Sequence, residues 1–241
     1  MNDYECWIAP PRAIPLWSGQ IHLCRTRLDV EPDTLRRLST YLSPDEIARA
    51  ERFFFPRDRD HFIVARGILR DLLGMFLGCL PASICFTQGS NGKPSLSQKW
   101  SKNQLFFNVS HSHGWALYAF ANGRELGVDI EKIREEKDAA EIAERYFSLR
   151  EREEFRLLPH DLQPEAFFLC WTRKEAYVKA RGLGLQIPLD SFDVSLTPSK
   201  PATLCSEDRE RWELRSFHPA EGYVAALVSE GKIEEMRFWD Y

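Results

Sequence analysis

The sequence predicts an α+β fold. Three observations predict it. Apolar residues recur at helical spacing over 61–78 and 164–180. Short alternating segments separated by turn residues fill 105–131. A strand-rich tail follows residue 189. With 241 residues, 44% hydrophobic and 28% charged, the chain can bury one large core or two small ones.

The elements follow in order. Ile21 to Cys24 reads as a strand and Asp33 to Tyr41 as a helix. Ser43-Pro44-Asp45-Glu46 opens another helix: Ser43 caps, Pro44 fits the first helical position, and Glu46 completes an S-x-x-E capping box. His61 to Gly78 is a longer helix, with Phe62, Ala65, Leu69, Leu72, Leu73 and Phe76 on its apolar stripe. Residues 105–131 read as a three-strand meander, turning near His111–Gly114 and again at Asn122-Gly123. A short helix spans 138–147, and Ser148 with Glu151 forms a second capping box for the helix after it. Pro164 to Ala180 is helical. The segments 189–196, 212–218 and 223–229 read as strands around a polar loop at 197–211.

One feature occurs twice. Ala-Glu-Arg-Phe-Phe at 50–54 is echoed by Ala-Glu-Arg-Tyr-Phe at 143–147, and each is followed by a helical pattern carrying Ala-Arg-Gly, at 65–67 and 180–182. The unequal offsets exclude a short-period solenoid and leave a duplicated α+β unit open.

The formal charge of −4 gives no support to bulk nucleic-acid binding. No run is long and apolar enough for a membrane span, and the N-terminus, acidic and broken by proline, is unlike a secretory signal. The six cysteines are scattered without a C-x-x-C pair or zinc-site spacing, which predicts free thiols in a reducing cytoplasm.

The stretch Gly127-Val128-Asp129-Ile130-Glu131 carries the chemistry. On a strand, Leu126, Val128 and Ile130 share one face, and Gly127, Asp129 and Glu131 the other. The two acids are then about 7 Å apart and repel unless a cation lies between them. In the helix over 164–180, at about 100° per residue, Glu175 and Lys179 fall within roughly 20° of Phe168, at the edge of the apolar stripe. An ordinary solvent-facing Glu–Lys pair would lie opposite it, so this acid and lysine are expected to be partly buried and to need partners. If the helix packs across the strand, Asp129, Glu131 and Glu175 make a hard oxygen site suited to Mg²⁺ and phosphate oxygens, and Lys179 adds a second positive charge. Gly127 leaves room on that face for a ligand. Upstream, Asn91-Gly92-Lys93-Pro94 offers a turn with Lys93 and a backbone amide near Gly92, and Ser110 and His111 lie at a strand end. Singly these have bland readings: a turn, a core histidine, and surface salt bridges for Arg49 and Arg66.

Together they resemble a known family. G-V-D-I-E at 127–131 and W-T-R-K-E-A-Y-V-K at 171–179 are similar to the two signature motifs of the 4′-phosphopantetheinyl transferases, G-[IV]-D-x-E and W-x-x-K-E-A-x-x-K, with a gap of about forty residues. Gly92-Lys93-Pro94, Asn108-Val109-Ser110-His111-Ser112 and the segment 52–62 resemble the upstream motifs of the longer, surfactin-synthetase-activating type. The resemblance covers roughly residues 43–190.

It implies a pseudo-dimer of two similar α+β subdomains, 1–121 and 122–241, in a cytoplasmic protein active as a monomer. It implies transfer of the 4′-phosphopantetheine arm of coenzyme A to a serine of an apo acyl or peptidyl carrier protein, leaving adenosine 3′,5′-bisphosphate. Carried over by position, Asp129, Glu131 and Glu175 resemble the Mg²⁺ ligands. Lys179 resembles the lysine on the pyrophosphate. Arg49, Arg66, Lys93, Pro94, Ser110 and His111 resemble nucleotide contacts. Glu175, with Lys179 and Asp129, forms the expected catalytic set. Glu46 departs from the family, standing where some members carry a basic residue. Glu151 matches a glutamate sometimes proposed as a base, and its capping role already explains it. Two other readings of the acids are a metal-dependent nuclease or phosphodiesterase, disfavoured by the absence of a basic stripe, and a non-catalytic binder of coenzyme A or a carrier, which would not need the acid triad with Lys179.

Overall fold

A strand, three helices, a two-strand hairpin and two further strands occur in that order twice. The computed structural model describes residues 6–88 and 93–241. The first series is β1 (Gln20–Arg27), α1 (Pro32–Ser39), α2 (Pro44–Ala50), α3 (Pro56–Leu77), β2 (Phe86–Gln88), β3 (Pro94–Leu96), β4 (Leu105–Ser112) and β5 (Trp115–Asn122). The second is β6 (Leu126–Lys132), α4 (Ala139–Tyr146), α5 (Leu149–Leu157), α6 (Gln163–Arg181), β7 (Asp193–Val194), β8 (Leu204–Cys205), β9 (Trp212–Phe217) and β10 (Tyr223–Glu230). A last strand, β11 (Glu235–Asp240), follows. The sheet orders match as well: β1-β5-β4 in one half and β6-β10-β9 in the other, with β11 added in parallel to the outer edge of β1.

The strand pattern sets the layers. Side chains alternate between faces along a strand. In β1 and β5, Cys24, Tyr118 and Phe120 pack on α3, while Ile21, Leu23, Leu117 and Ala119 point the other way. In β10, Val224 and Val228 face α6, while Ala225 and Leu227 meet the first sheet's outward face. The result is helices, sheet, sheet, helices, with an aliphatic core between the sheets and one helix-covered core on each side. Both long helices start with proline in the first turn and end at a left-handed glycine, Gly78 (φ 64°) and Gly182 (φ 66°), where a side chain would be strained.

A buried ion pair recurs in the two halves. Glu46, at the third position of α2, accepts from the Ser43 amide (2.9 Å) and from Arg70 Nε of α3 (2.7 Å). Arg70 also donates to the carbonyls of Pro81 and Ile84. Glu151, at the third position of α5, accepts from the Ser148 amide (2.8 Å) and lies 2.8 Å from Lys174 Nζ of α6. Lys174 in turn donates to the carbonyls of Leu189 and Phe192. All four charged groups are buried. Each pair ties the start of a short helix to the middle of the long one and to the loop beyond it. This is the repeat that the fold uses. The Ala-Glu-Arg echo is not: residues 50–54 straddle the end of α2, residues 143–147 the end of α4, and Ala-Arg-Gly lies mid-helix in α3 but at the C-terminus of α6. Both echoes are chance likenesses at non-equivalent places.

Several expectations change. The three-strand meander is a hairpin plus a crossover: β5 is already paired on both edges, by β1 and β4, so β6 pairs with β10 instead. The helix placed at 61–78 starts at Pro56. The strand at 189–196 is reduced to Asp193–Val194, because Leu189–Ser191 forms a helical turn; its partner β8 lies in the presumed loop at 197–211. The strand β11 was not expected, its charged residues hiding the alternation.

Candidate active site between the halves

The site lies where β4 and β6 run alongside each other from different sheets. Side chains join them in register. Asn108 Oδ1 accepts from the Val128 amide (2.9 Å), Ser110 Oγ donates to Asp129 Oδ1 (2.7 Å), and Ser112 Oγ donates to Glu131 Oε2 (2.6 Å). The motif Asn-Val-Ser-His-Ser is thereby explained by strand alternation. Residues 108, 110 and 112 bond the second half, while Val109 and His111 turn to the opposite face and line a cavity of about 830 Å³ against α3.

Helix α6 crosses β6 on the acidic face. Its approach is so close that a Cβ at Gly127 would stand 2.2 Å from the Ala176 carbonyl oxygen and 2.3 Å from the Ala180 amide nitrogen. The glycine therefore serves helix packing, not ligand access as its sequence position suggests. The packing brings Lys179 to Asp129, with Nζ 2.6 Å from Oδ1 and also donating to Ser110 Oγ (3.1 Å) and the Val128 carbonyl (3.3 Å). Asp129 is buried, and its other oxygen, Oδ2, has no hydrogen-bond partner. Glu131 and Glu175 are half-buried. Burial pushes both carboxyls above the usual range, and the Asp129 charge pushes them further. On Glu175, Lys179 acts in the opposite direction.

This donor set suits a hard divalent cation: three carboxylates in mutual electrostatic reach, one with a buried oxygen left unpaired. Among the described residues no three such side chains close on a common metal-binding point in this conformation, in which Lys179 is bonded to Asp129.

The cavity beside β4 is basic. Arg49, Arg57, Arg66 and Lys132 line it with His61, His111 and His113 and one acid, Asp58, while behind the lining Asp29 pairs with Arg57 and His61, and Glu46 with Arg66. In a chain of net charge −4 that local excess selects for anions. Arg49 lies over the Phe62 ring (5.3 Å to the centroid). Arg66 is 3.5 Å from Glu46, and burial lowers its pKa. Loss of solvation and the Lys179 charge lower that of His111, favouring a neutral ring. Glu46, facing Arg66 and Arg70, is the buried clamp described above.

The expected nucleotide residues are thus divided. Arg49, Arg66, Pro94 and His111 line the basic cavity, whereas Ser110 faces Asp129 and Lys179. Lys93 lines a second cavity of about 520 Å³, and its ammonium donates to Glu125, to the Leu126 carbonyl and to the Lys179 carbonyl. Asn91 and Gly92, with the amide expected there, lie outside the described residues. Arg57, His61, Lys132 and Ser112 were not anticipated. The alternating polar residues 108, 110 and 112 were the available signal for the last.

The family model described as 4′-phosphopantetheinyl transferase superfamily matches residues 125–228, and the 4′-phosphopantetheinyl transferase N-terminal model matches residues 30–122. The chain is 40% identical over 235 residues to the 4′-phosphopantetheinyl transferase HetI of Nostoc sp., covering 98% of each chain. It is 31% identical over 194 residues to the 4′-phosphopantetheinyl transferase Sfp of Bacillus subtilis, covering 80% of this chain and 84% of that one.

Proposed function

We propose a reaction scheme on the premise that this chain belongs to the 4′-phosphopantetheinyl transferase superfamily. The protein is a transferase that moves the 4′-phosphopantetheine group of coenzyme A to a carrier protein. The scheme rests on one observation above all: Asp129 is buried, held on one oxygen by Lys179 and Ser110, with its second oxygen unpaired.

In this scheme coenzyme A places its nucleotide end against Arg49, Arg66, Pro94 and His111, with Lys93 and Ser110 nearby as the resemblance implies. Its pyrophosphate lies toward Lys179. Asp129, Glu131 and Glu175 would hold Mg²⁺, which offsets charge on the pyrophosphate. Glu175 takes the proton from the carrier serine. The serine oxygen attacks the β-phosphorus. The bond from that phosphorus to the departing adenosine 3′,5′-bisphosphate breaks, and Lys179 stabilises the charge that develops on the leaving phosphate.

We assign the carrier to fatty-acid, polyketide or peptide synthesis, and the working form to a cytoplasmic monomer with subdomains 1–121 and 122–241. Among the described residues no helix is long and apolar enough to cross a membrane. The test is the intact mass of apo carrier domains after incubation with coenzyme A, with Mg²⁺ and with EDTA. The expected result is a gain of one phosphopantetheine in Mg²⁺ and none in EDTA. Gain in both would remove the metal from the scheme, and gain in neither, with every carrier class tried, would remove the scheme itself.

A further inference from the structure

Two serines two residues apart on β4 meet two acids two residues apart on β6. Ser110 bonds one oxygen of Asp129, and Ser112 bonds one oxygen of Glu131. Both serines are buried. A hydroxyl has one hydrogen to donate. At Ser112 the 2.6 Å contact commits that hydrogen to Glu131 Oε2. The oxygen then accepts, from the Lys132 amide at 3.4 Å and from the Nδ1–H tautomer of His113 at 3.0 Å. The hydroxyl is thus fixed from several directions, and its direction fixes the rotation of the Glu131 carboxylate. Arg134, 3.6 Å from the same Glu131 oxygen, adds charge, but it is partly exposed and two-fifths of an ångström beyond hydrogen-bond distance at best.

The consequence lies in the free oxygens. Each carboxylate has one oxygen engaged by a serine from the other half of the molecule, which leaves the second free of that bond. For Asp129 that second oxygen is buried and unpaired. We propose that Ser112 is a positioning residue, supplied by the first half, that aims the free oxygen of Glu131 at a divalent cation, as Ser110 does for Asp129. The inference rests on the reading of Asp129, Glu131 and Glu175 as cation ligands. It adds that the ligands come from the second half and their orientation from the first. Between the serines, His111 points the other way into the basic cavity, so a single strand orients the acids and lines the anion site. Partners that orient metal ligands from behind are worth about 10–100-fold in metal affinity.

The test measures cation binding without turnover. Mn²⁺ binding to the substrate-free protein is followed by electron paramagnetic resonance, and Mg²⁺ binding by calorimetry, for wild type, Ser112→Ala and Ser112→Thr. Coenzyme A affinity in EDTA and thermal unfolding are measured alongside. The expected result is about 10–100-fold weaker cation binding in Ser112→Ala, recovery in Ser112→Thr, and unchanged coenzyme A affinity in EDTA. Loss of cation and coenzyme A binding together, in both variants, would mark Ser112 as a general support of the fold and overturn the proposal. A wild type that binds the cation and a Ser112→Ala that binds it equally well would overturn the positioning role and leave the ligand reading standing. A wild type that binds no cation would overturn the ligand reading, and this inference with it.

Discussion

The ammonium of Lys179 lies 2.6 Å from the carboxylate of Asp129, fifty residues earlier, and the contact joins α6 to β6 across the acidic face of the strand. Removing the lysine strands a buried carboxylate. Lys179→Ala should therefore lose about 1–3 kcal/mol of stability in urea unfolding, and should weaken coenzyme A binding as well as turnover if, as proposed, the amine meets the pyrophosphate before and during transfer. Wild-type coenzyme A affinity in the folded variant would detach Lys179 from the substrate.

Glu175 separates catalysis from binding. Glu175→Gln keeps the shape and removes the proposed base. Its kcat should fall at least ~10²-fold, while coenzyme A affinity and the unfolding midpoint stay close to wild type, since the proposed nucleotide contacts lie elsewhere, on α2, α3, β4 and the start of β3. Near-normal turnover by the folded variant would leave Glu175 as no more than a helix neighbour of Lys179.

Glu151 should behave in the opposite way. Its twin in the first half, Glu46, holds Arg70 in the same manner, at a place where no acid triad exists to be served. A device present in both halves belongs to the framework. Glu151→Gln strands the fully buried Lys174 and should cost about 3–5 kcal/mol, with the turnover of the remaining folded enzyme nearly intact. Pairing it with Lys174→Met should restore much of the stability. A stable Glu151→Gln protein without activity would return this glutamate to the reaction.

Acid should loosen the joint between β1 and β11. His22 is buried on β1, where Nδ1 accepts from Trp239 Nε1 of β11 at 3.1 Å. Burial, with the Arg237 charge next, pulls its pKa down to about 4, against a smaller opposing effect of Glu235. The unfolded chain therefore binds a proton near pH 6.5 that the folded chain refuses until about pH 4. Stability is fully present above that window and falls through it as pH drops, by up to about 3 kcal/mol. Unfolding free energies of wild type and His22→Gln at pH 7 and pH 4.5 check this, the variant showing the shallower fall. Parallel slopes would assign the acid sensitivity elsewhere.

Much of the site was legible because its residues obey short-range rules. The two-residue period of a strand placed Asp129 and Glu131 on one face, and the helical period placed Glu175 and Lys179 at the edge of a buried stripe. What period alone could not supply was the partner across the gap. Gly127 looked like space for a ligand and is space for α6, because only the packed helix reveals the 2.2 Å approach. Ser110 and His111 are neighbours in sequence and serve opposite faces of β4. The meander failed for a similar reason: pairing depends on which edges are already taken, and the claim of β1 on β5 comes from nearly a hundred residues upstream. The capping boxes were read correctly as helix starts, but their glutamates reach further, to cations on α3 and α6 that no local pattern announces.

The attachment of β11 has a consequence for the order in which this protein can be assembled. Gln20 on β1 bonds Glu235 on β11 across 215 positions, so the first sheet keeps one edge open while nearly all of the second half is being synthesised. An open edge invites pairing with other chains, and contacts of such long range form late. The outer edge of β1 is thus completed by a strand 215 positions downstream. A chain cut ahead of Glu235 would carry every residue of the acidic site, yet with an unpaired β1 edge ready to join its neighbour's.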